Sequence, residues 1–238
     1  MKIFNVLDLE TTGFDPPEAE VIEVAVSAVV VSDQGDISIY PPKHELFSAA
    51  NGIGPESRAI HHISMAQVDG KPLCRKCDLN RIALHGNPQF LVAHNADFER
   101  KWFTTEAVGD IPWICTYKCA LRLWPDAPRH GNQVLRYWLE DQGKIPVLGR
   151  RADPAHRAGP DTTVTAYLLS QMLGLTGASE MVQWSSEPRL IHKLTFGKHR
   201  GLTWPEVPSD YLSWLIDKGE DEDVKWNARR EIQRRRAS

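Results

Sequence analysis

Cysteine is scarce, four among 238 residues. That is too few for a disulfide scaffold and suits a reducing compartment. The four fall as Cys74-x2-Cys77 and Cys115-x3-Cys119, so a four-thiolate zinc site is conceivable. The second pair sits inside the apolar stretch 113–121, where small thiols serve as packing, and packing is the preferred reading. No apolar run approaches the roughly 20 residues that cross a bilayer. The N-terminus carries acids where a secretory signal needs an unbroken apolar core. A cytoplasmic protein without membrane contact is expected. Charge of one sign is missing too: 28 Lys and Arg stand against 31 Asp and Glu, a net −3. Such a balance neither implies nor excludes a nucleic-acid partner, because acids lining a site subtract from any basic surface. Internal repeats and low-complexity tracts are absent, and the apolar content of 42% is that of an ordinary globular chain with room for one large unit and a small one.

What stands out is Leu7-Asp8-Leu9-Glu10-Thr11-Thr12-Gly13. Ile3, Phe4, Val6, Leu7 and Leu9 are apolar on both parities, the pattern of a strand buried on both faces. Side chains alternate along a strand, so Asp8 and Glu10 point to the same side. Two carboxylates so placed repel unless a proton or cation lies between them, and no Lys or Arg falls inside the stretch. A divalent, oxygen-loving ion is the economical answer. A solvated strand end with two surface acids is the alternative on this stretch alone.

Further along, residues 21–31 and 37–40 read as strands of an N-terminal meander that Pro41-Pro42 stops, 55–63 as a helix, 66–85 as a further helix, and 90–93 as a short buried strand. Asn95 is a suitable N-cap for a helix through Phe103. On that helix Glu99 shares a face with Trp102 and Phe103, whereas Asp97 faces Arg100 and Lys101 as a solvated ion-pair position. Glu99 is therefore the third candidate ligand. After a strand-to-helix passage at 114–125 and a helix at 134–139, the loop 143–154 delivers His156 and then Asp161. The latter falls in the first turn of an apolar helix beside Pro160, where the backbone dipole favours an anion. Residues 1–175 are expected to form the main domain and 176–188 a linker. Residues 189–238 are expected to form a small C-terminal α+β domain with a hairpin at 194–204, a helix after Ser209 and a basic final helix.

Asp8-x-Glu10-Thr11-Thr12-Gly13, His94-Asn95-Ala96-x-Phe98-Glu99 and His156-x4-Asp161, in this order, resemble the DnaQ-like (DEDDh) 3′–5′ exonuclease superfamily. Segments 59–64, 113–116, 122–125 and 195–201 extend the similarity over nearly the whole chain. The resemblance implies an α/β, ribonuclease H-like fold, a mixed sheet flanked by helices. It implies an enzyme acting on DNA 3′ ends with two Mg²⁺ or Mn²⁺ ions, releasing nucleoside 5′-monophosphates, with DNA repair as its setting. Asp8 would bridge the ions, Glu10 and Asp161 complete the nucleophile side, and Glu99 serves the leaving group. His156 would be the general base, a task suited to imidazole's ordinary pKa near 6.5. Arg157 occupies the place where the tyrosine class carries its tyrosine, which implies the histidine class. Glu99 stands where the superfamily carries aspartate; the extra methylene moves the carboxylate outward by about one bond length.

Thr11, Phe14, His61, Ile63 and Asn95 are candidate contacts to the terminal nucleotide, with Phe14 also a candidate wedge between terminal base pairs. Lys198 and Arg200, flanking His199, are candidates for following the phosphate backbone. Two rival readings stand beside the deoxyribonuclease: an exoribonuclease on the same scaffold, and a nucleic-acid-binding module with a site weakened at Glu99.

Overall fold

The computed structural model describes residues 1–237. A six-stranded mixed sheet forms its centre. β1 (Lys2–Thr11), β2 (Val21–Val31) and β3 (Ile37–Ile39) make the expected antiparallel meander. β4 (Lys43–Leu46) follows the proline stop and pairs with the other end of β2; its Lys-His-Glu-Leu sequence carries no apolar signal, and the free length of β2 recruits it. α1 (Pro55–His61) comes next. The helix expected across 66–85 is instead two, α2 (Met65–Val68) and α3 (Lys76–Ala83), interrupted where Asp69, Gly70 and Pro72 end helical continuity. β5 (Phe90–Ala93) lies parallel to β1. After α4 (Thr105–Val108), β6 (Trp113–Cys115) lies parallel to β5. α5 (Thr116–Leu123), α6 (Asn132–Asp141) and α7 (Ala158–Leu173) complete the body.

The period of two in β1 divides the core. Its even positions Phe4 and Val6 join Val29, Val92, Ile114 and the apolar residues of α5, α6 and α7. Its odd positions Leu7 and Leu9 join Val24, Val26 and Leu91 with Leu79 and Ile82 of α3. Burying each such side chain contributes about 1.5–3 kcal/mol, so β1 is fixed from both sides. α7 is buried nearly all round, its threonines included, and lies over β1 and β2, so burial rather than amphipathicity holds it.

The expected linker is not one. Residues Ala178–Ser186 form α8, which buries Met181 fully and sets Ser185 Oγ 2.7 Å from the Cys115 N–H at the end of β6. Of its small polar residues, Ser185 bonds to the body while Ser179 and Ser186 stay exposed. Beyond it come α9 (Ser209–Lys218) and α10 (Glu222–Ala237), with a separate apolar cluster of Leu194, Trp204, Leu212, Leu215, Val224 and Ala228. The expected hairpin is reduced to a single bridge between Lys193 and Thr203, and no strand occurs among the described residues after 189, so this part is helical rather than α+β. Gly197 and Gly201, at φ 69° and 91°, wind the chain too tightly for a ladder. Arg122 of α5 lies over the rings of Trp184 and Trp226, and His192 stacks on His130 at 5.9 Å, seating this segment on the body.

Candidate active site

β1 and β5 run parallel, so their C-terminal ends open on one edge of the sheet, where ligands collect in α/β folds. The face of β1 that begins with Phe4 and Val6 continues to Asp8 and Glu10 where α7 starts above it. Asp161, in the first turn of α7, completes the group: one oxygen from each of the three carboxylates lies within 4.8 Å of the others. Among the described residues no other three His, Cys, Asp or Glu side chains converge so closely. Cys115 and Cys119 are buried as packing. Gln133 Nε2 donates to Asp161 at 2.9 Å, and the His156 N–H donates to its other oxygen at 2.9 Å.

The helix expected after Asn95 is absent. Asn95 is left-handed at φ 78°, a conformation its short polar side chain tolerates, and only a single 3₁₀ turn, Glu99–Lys101, follows. The turn nevertheless keeps Glu99 and Phe103 on the inner side, as the face argument expects, with the Phe103 N–H donating to the Glu99 carbonyl at 2.9 Å. Glu99 is 3% exposed and its Oε2 has no hydrogen-bond partner. Asp97 is exposed but pairs with Lys118 at 2.9 Å, while Lys101 reaches Asp15.

Electrostatics set this edge apart. Burial, then the charges of Glu10, Asp161 and Glu99, push Asp8 well above the usual carboxylate range. Burial, then Asp161 and Glu23, raise Glu10 to about 8, against a smaller downward pull from Arg157. Burial, opposed by its own backbone N–H, raises Glu99 to about 8. Asp161 is raised by burial and partly relieved by Gln133 and the His156 N–H. Asp8, Glu10 and Asp161 form an all-oxygen donor set short of positive charge that fits a hard divalent cation; Glu99 stands outside this group of three, near enough for its charge to act on Asp8, with one buried oxygen unpartnered.

One strand over, Glu23 of β2 faces Glu10 across the ladder and is 1% exposed. Arg157 grips it with Nε at 2.8 Å and Nη2 at 2.9 Å. The Ala158 N–H at the start of α7 donates to it at 3.2 Å, and His44 Nδ1 lies 3.0 Å away. Burial alone would raise Glu23; the Arg157 hydrogen bonds and charge outweigh it and hold the carboxyl below its ordinary value. This knot anchors the segment that carries both His156, exposed at φ 58°, and Asp161. Sequence reasoning misses Glu23 and Gln133. The available signal is an acid in the middle of an otherwise apolar strand, Val21-Ile22-Glu23-Val24, which needs a cation elsewhere.

A cleft beside the acids is lined by Glu10, Thr11, Phe14, Ile60, His61 and Phe98. Phe14 is 75% exposed at its rim. Thr11 Oγ1 donates to the Gly13 carbonyl at 2.6 Å, fixing the turn, and Gly13 leaves room for Ala19, whose Cβ a side chain there would crowd at 3.1 Å. His61 is buried; its Nδ1 accepts the Ile63 N–H at 2.9 Å, so the neutral ring carries its hydrogen on Nε2, which has no protein partner. Ile63 is not a nucleotide contact: it is fully buried among Ile22, Ala49, Ile53 and Val68, and the exposed Ile60 takes its place in the cleft. Asn95 is exposed on its turn outside the cleft lining, and Lys198 and Arg200 are exposed on the C-terminal segment.

A family model described as an exonuclease, RNase_T, matches residues 6–169. Exodeoxyribonuclease 10 of Escherichia coli K12 is 31% identical over 223 residues, covering 90% of this chain and 91% of the relative. A PolC-type DNA polymerase III of Thermotoga petrophila is 28% identical over 75% of this chain but only 13% of its own length. Among solved structures, exonuclease X in complex with 5′-overhanging duplex DNA superposes with TM-score 0.57 and 28% identity, covering 77% of this chain and 99% of that one. Segments 59–64, 113–116, 122–125 and 195–201 are the ones whose sequence resembles exodeoxyribonuclease X. With this match over most of its length and the acids of its first and third motifs gathered at one sheet edge, the chain belongs to the RNase_T family of exonucleases, as its likeness to the DnaQ-like group implied.

Proposed function

We propose that this exonuclease is a metal-dependent 3′–5′ exodeoxyribonuclease that removes nucleoside 5′-monophosphates from DNA ends. The observation that carries this reading is the set of buried carboxylates at one sheet edge, raised in pKa and lacking cationic partners, next to an exposed histidine. Asp8, Glu10 and Asp161, with Glu99 completing the set, would hold divalent Mg²⁺ or Mn²⁺. Two such ions, when bound, supply an activated water and neutralise charge on the departing oxygen.

The chain's own groups do the rest. His156, its backbone held by Asp161 and its neighbour Arg157 by Glu23, takes the proton of the attacking water. Thr11, Ile60 and His61 seat the terminal nucleotide in the cleft, with His61 Nε2–H free to donate to a substrate oxygen. Phe14 stacks on the terminal base or wedges beneath it. Asn95 borders the scissile phosphate from its left-handed turn. Lys198 and Arg200 on the 189–238 unit contact phosphates further along the strand. The name of the curated relative, an exodeoxyribonuclease, supports DNA as the substrate.

The decisive experiment is digestion of end-labelled DNA, and of the same sequence as RNA, with Mg²⁺ and with EDTA, comparing the wild type with Asp8→Ala. Loss of label from the 3′ end as 5′-monophosphate, only with metal and only from DNA, is expected. Equal digestion of both polymers would leave the exonuclease and remove the deoxyribonuclease.

A further inference from the structure

We propose that the turn 195–201 and the exposed face of α9 form a separate surface that holds an unpaired DNA strand outside the acid-lined cleft, resting on the exonuclease reading for the identity of its ligand. Charge is segregated along this chain. Residues 189–238 hold 11 Lys and Arg against 8 Asp and Glu, although the whole chain is −3. Many of those acids are engaged: Glu231 by Arg234 and Arg235, Asp223 by Arg189, Glu222 by Lys225, and Glu206 by Thr203. On α9 itself Asp210 accepts the Tyr211 N–H, and Asp217 shares a hollow with Arg229 and Arg236. Lys198 and Arg200 are exposed and have no ion-pair partner among the described residues.

An aromatic ladder starts at His199, the residue between these cations in the chain. His199 meets Tyr211 edge-on at 4.5 Å, and Tyr211 stacks on Trp214 at 5.3 Å with planes 23° apart. Trp214 is 50% exposed and Phe196 42%. Gly197, at φ 69°, lets the turn close on α9, for a Cβ there would collide with the Tyr211 hydroxyl. The fold thus draws His199 inward, its Nε2 without a protein partner, and leaves its two cationic neighbours outside. Open ring faces flanked by unpaired cations match a strand whose bases are unstacked and whose phosphates are evenly charged. A duplex offers no base faces to Trp214 or Phe196, and an acidic peptide offers them nothing to stack on. None of these residues lines the cleft beside Asp8 and Glu10.

The test uses the full chain in EDTA and the fluorescence anisotropy of a labelled 30-nucleotide single strand, with closed-circular single-stranded DNA as competitor. A circle has no end to enter the active site, so only a separate surface lets it compete. Phe196→Ala/Trp214→Ala is expected to weaken binding by at least ~10-fold. Lys198→Gln/Arg200→Gln should reduce the slope of log K against log salt by about 1.4. The circle should compete for the wild type and lose that ability with both variants. Unchanged binding by both variants, a circle that does not compete, or equal displacement by duplex or by a polyglutamate peptide would each overturn the proposal. Should the aromatic variant melt early, the exposed, unpartnered Lys198 and Arg200 still decide the question. Hydrolysis of a trinucleotide, too short to span both surfaces, should be the same in the wild type and in Phe196→Ala/Trp214→Ala. If the wild type fails to cleave it, the exonuclease reading falls, while the binding result still judges this surface.

Discussion

Glu10 and Glu23 face each other across the β1–β2 ladder, both buried, both beneath the start of α7, and their fates are opposite. Glu23 has a guanidinium fork, a helix N–H and an imidazole, and its pKa falls. Glu10 has other carboxylates for company, and its pKa climbs to about 8. A buried acid with its own cation is a structural tie, whereas a buried acid without one is a request for a ligand. The chain places the two kinds side by side, so the tie steadies α7 and the His156 segment while the unpaired acids remain available.

The largest effect that can break this contrast comes from neutralising the unpaired acids. Asp8→Asn or Glu10→Gln is expected to lower exonuclease turnover by at least ~10³-fold, since metal-supplied stabilisation amounts to several kcal/mol. Above pH 8, where these carboxyls lose their protons, the same variants should melt at higher temperature than the wild type in EDTA, because a repulsive buried charge is gone. Melting and turnover measured on one preparation suffice; a variant that loses both would place these acids in the structural class.

Next comes the tie. Glu23→Ala strands Arg157 and frees the α7 N-terminus, so unfolding free energy in urea should fall by about 2–4 kcal/mol. Arg157→Met should cost roughly 10–100-fold in kcat, a part of the roughly 10²–10⁴-fold that a general base contributes, with KM little changed. Combined with His156→Ala it should add almost nothing, since Arg157 acts through that residue. An additive double variant would make Arg157 a stabiliser only.

Acidity offers a third handle. Glu10 and Glu99 have ordinary values of 4.5 and sit near 8 when folded. The folded state therefore binds those protons more tightly than the unfolded chain. The stability they contribute is complete below pH 4.5 and is lost as pH rises towards 8. In EDTA the melting temperature should fall across that window. Saturating Mn²⁺ at pH 8, at about 100 times its Kd, should restore roughly 5–10 °C. Asp8→Asn should flatten both responses, and an unaltered metal response in that variant would sever the cation from these carboxylates.

Why was so much of this legible in the sequence? The site-bearing strand announces itself because both parities of β1 are apolar, Asn5 apart, from Ile3 until Asp8, and alternation alone then puts Asp8 and Glu10 on one side. The order of the elements and the first turn of α7 were readable for similar local reasons. What stayed hidden depends on partners distant in sequence. Arg157 meets Glu23 across 134 positions, so neither residue signals the other locally. Ile63 has the same apolar character as Ile60, and only three-dimensional packing sends one to the core and the other to the cleft. α8 looks like a linker because its Ser185 spends its hydroxyl on the Cys115 N–H and the Met181 carbonyl, bonds that composition does not encode.

The smallest predicted effect concerns Glu99, the proposed ligand that stands where the DnaQ-like group carries aspartate. A longer side chain on an ordinary helix would overshoot, but here it rises from a single 3₁₀ turn after a left-handed Asn95, and its carboxylate ends buried with one oxygen unpartnered. For Glu99 to serve the same cation as Asp8, the backbone beneath it has to take up the extra methylene, about one bond length in reach. Glu99→Asp should leave the oxygen short of the shared centre and cost no more than about tenfold in kcat, roughly 1.4 kcal/mol. Mn²⁺ affinity should fall in parallel. Glu99→Gln keeps the reach and removes the charge, so it should cost more than Glu99→Asp while raising the melting temperature in EDTA. If Glu99→Asp instead runs faster than the wild type, the 3₁₀ turn has not adapted to glutamate, and Glu99 belongs to neither class of buried acid.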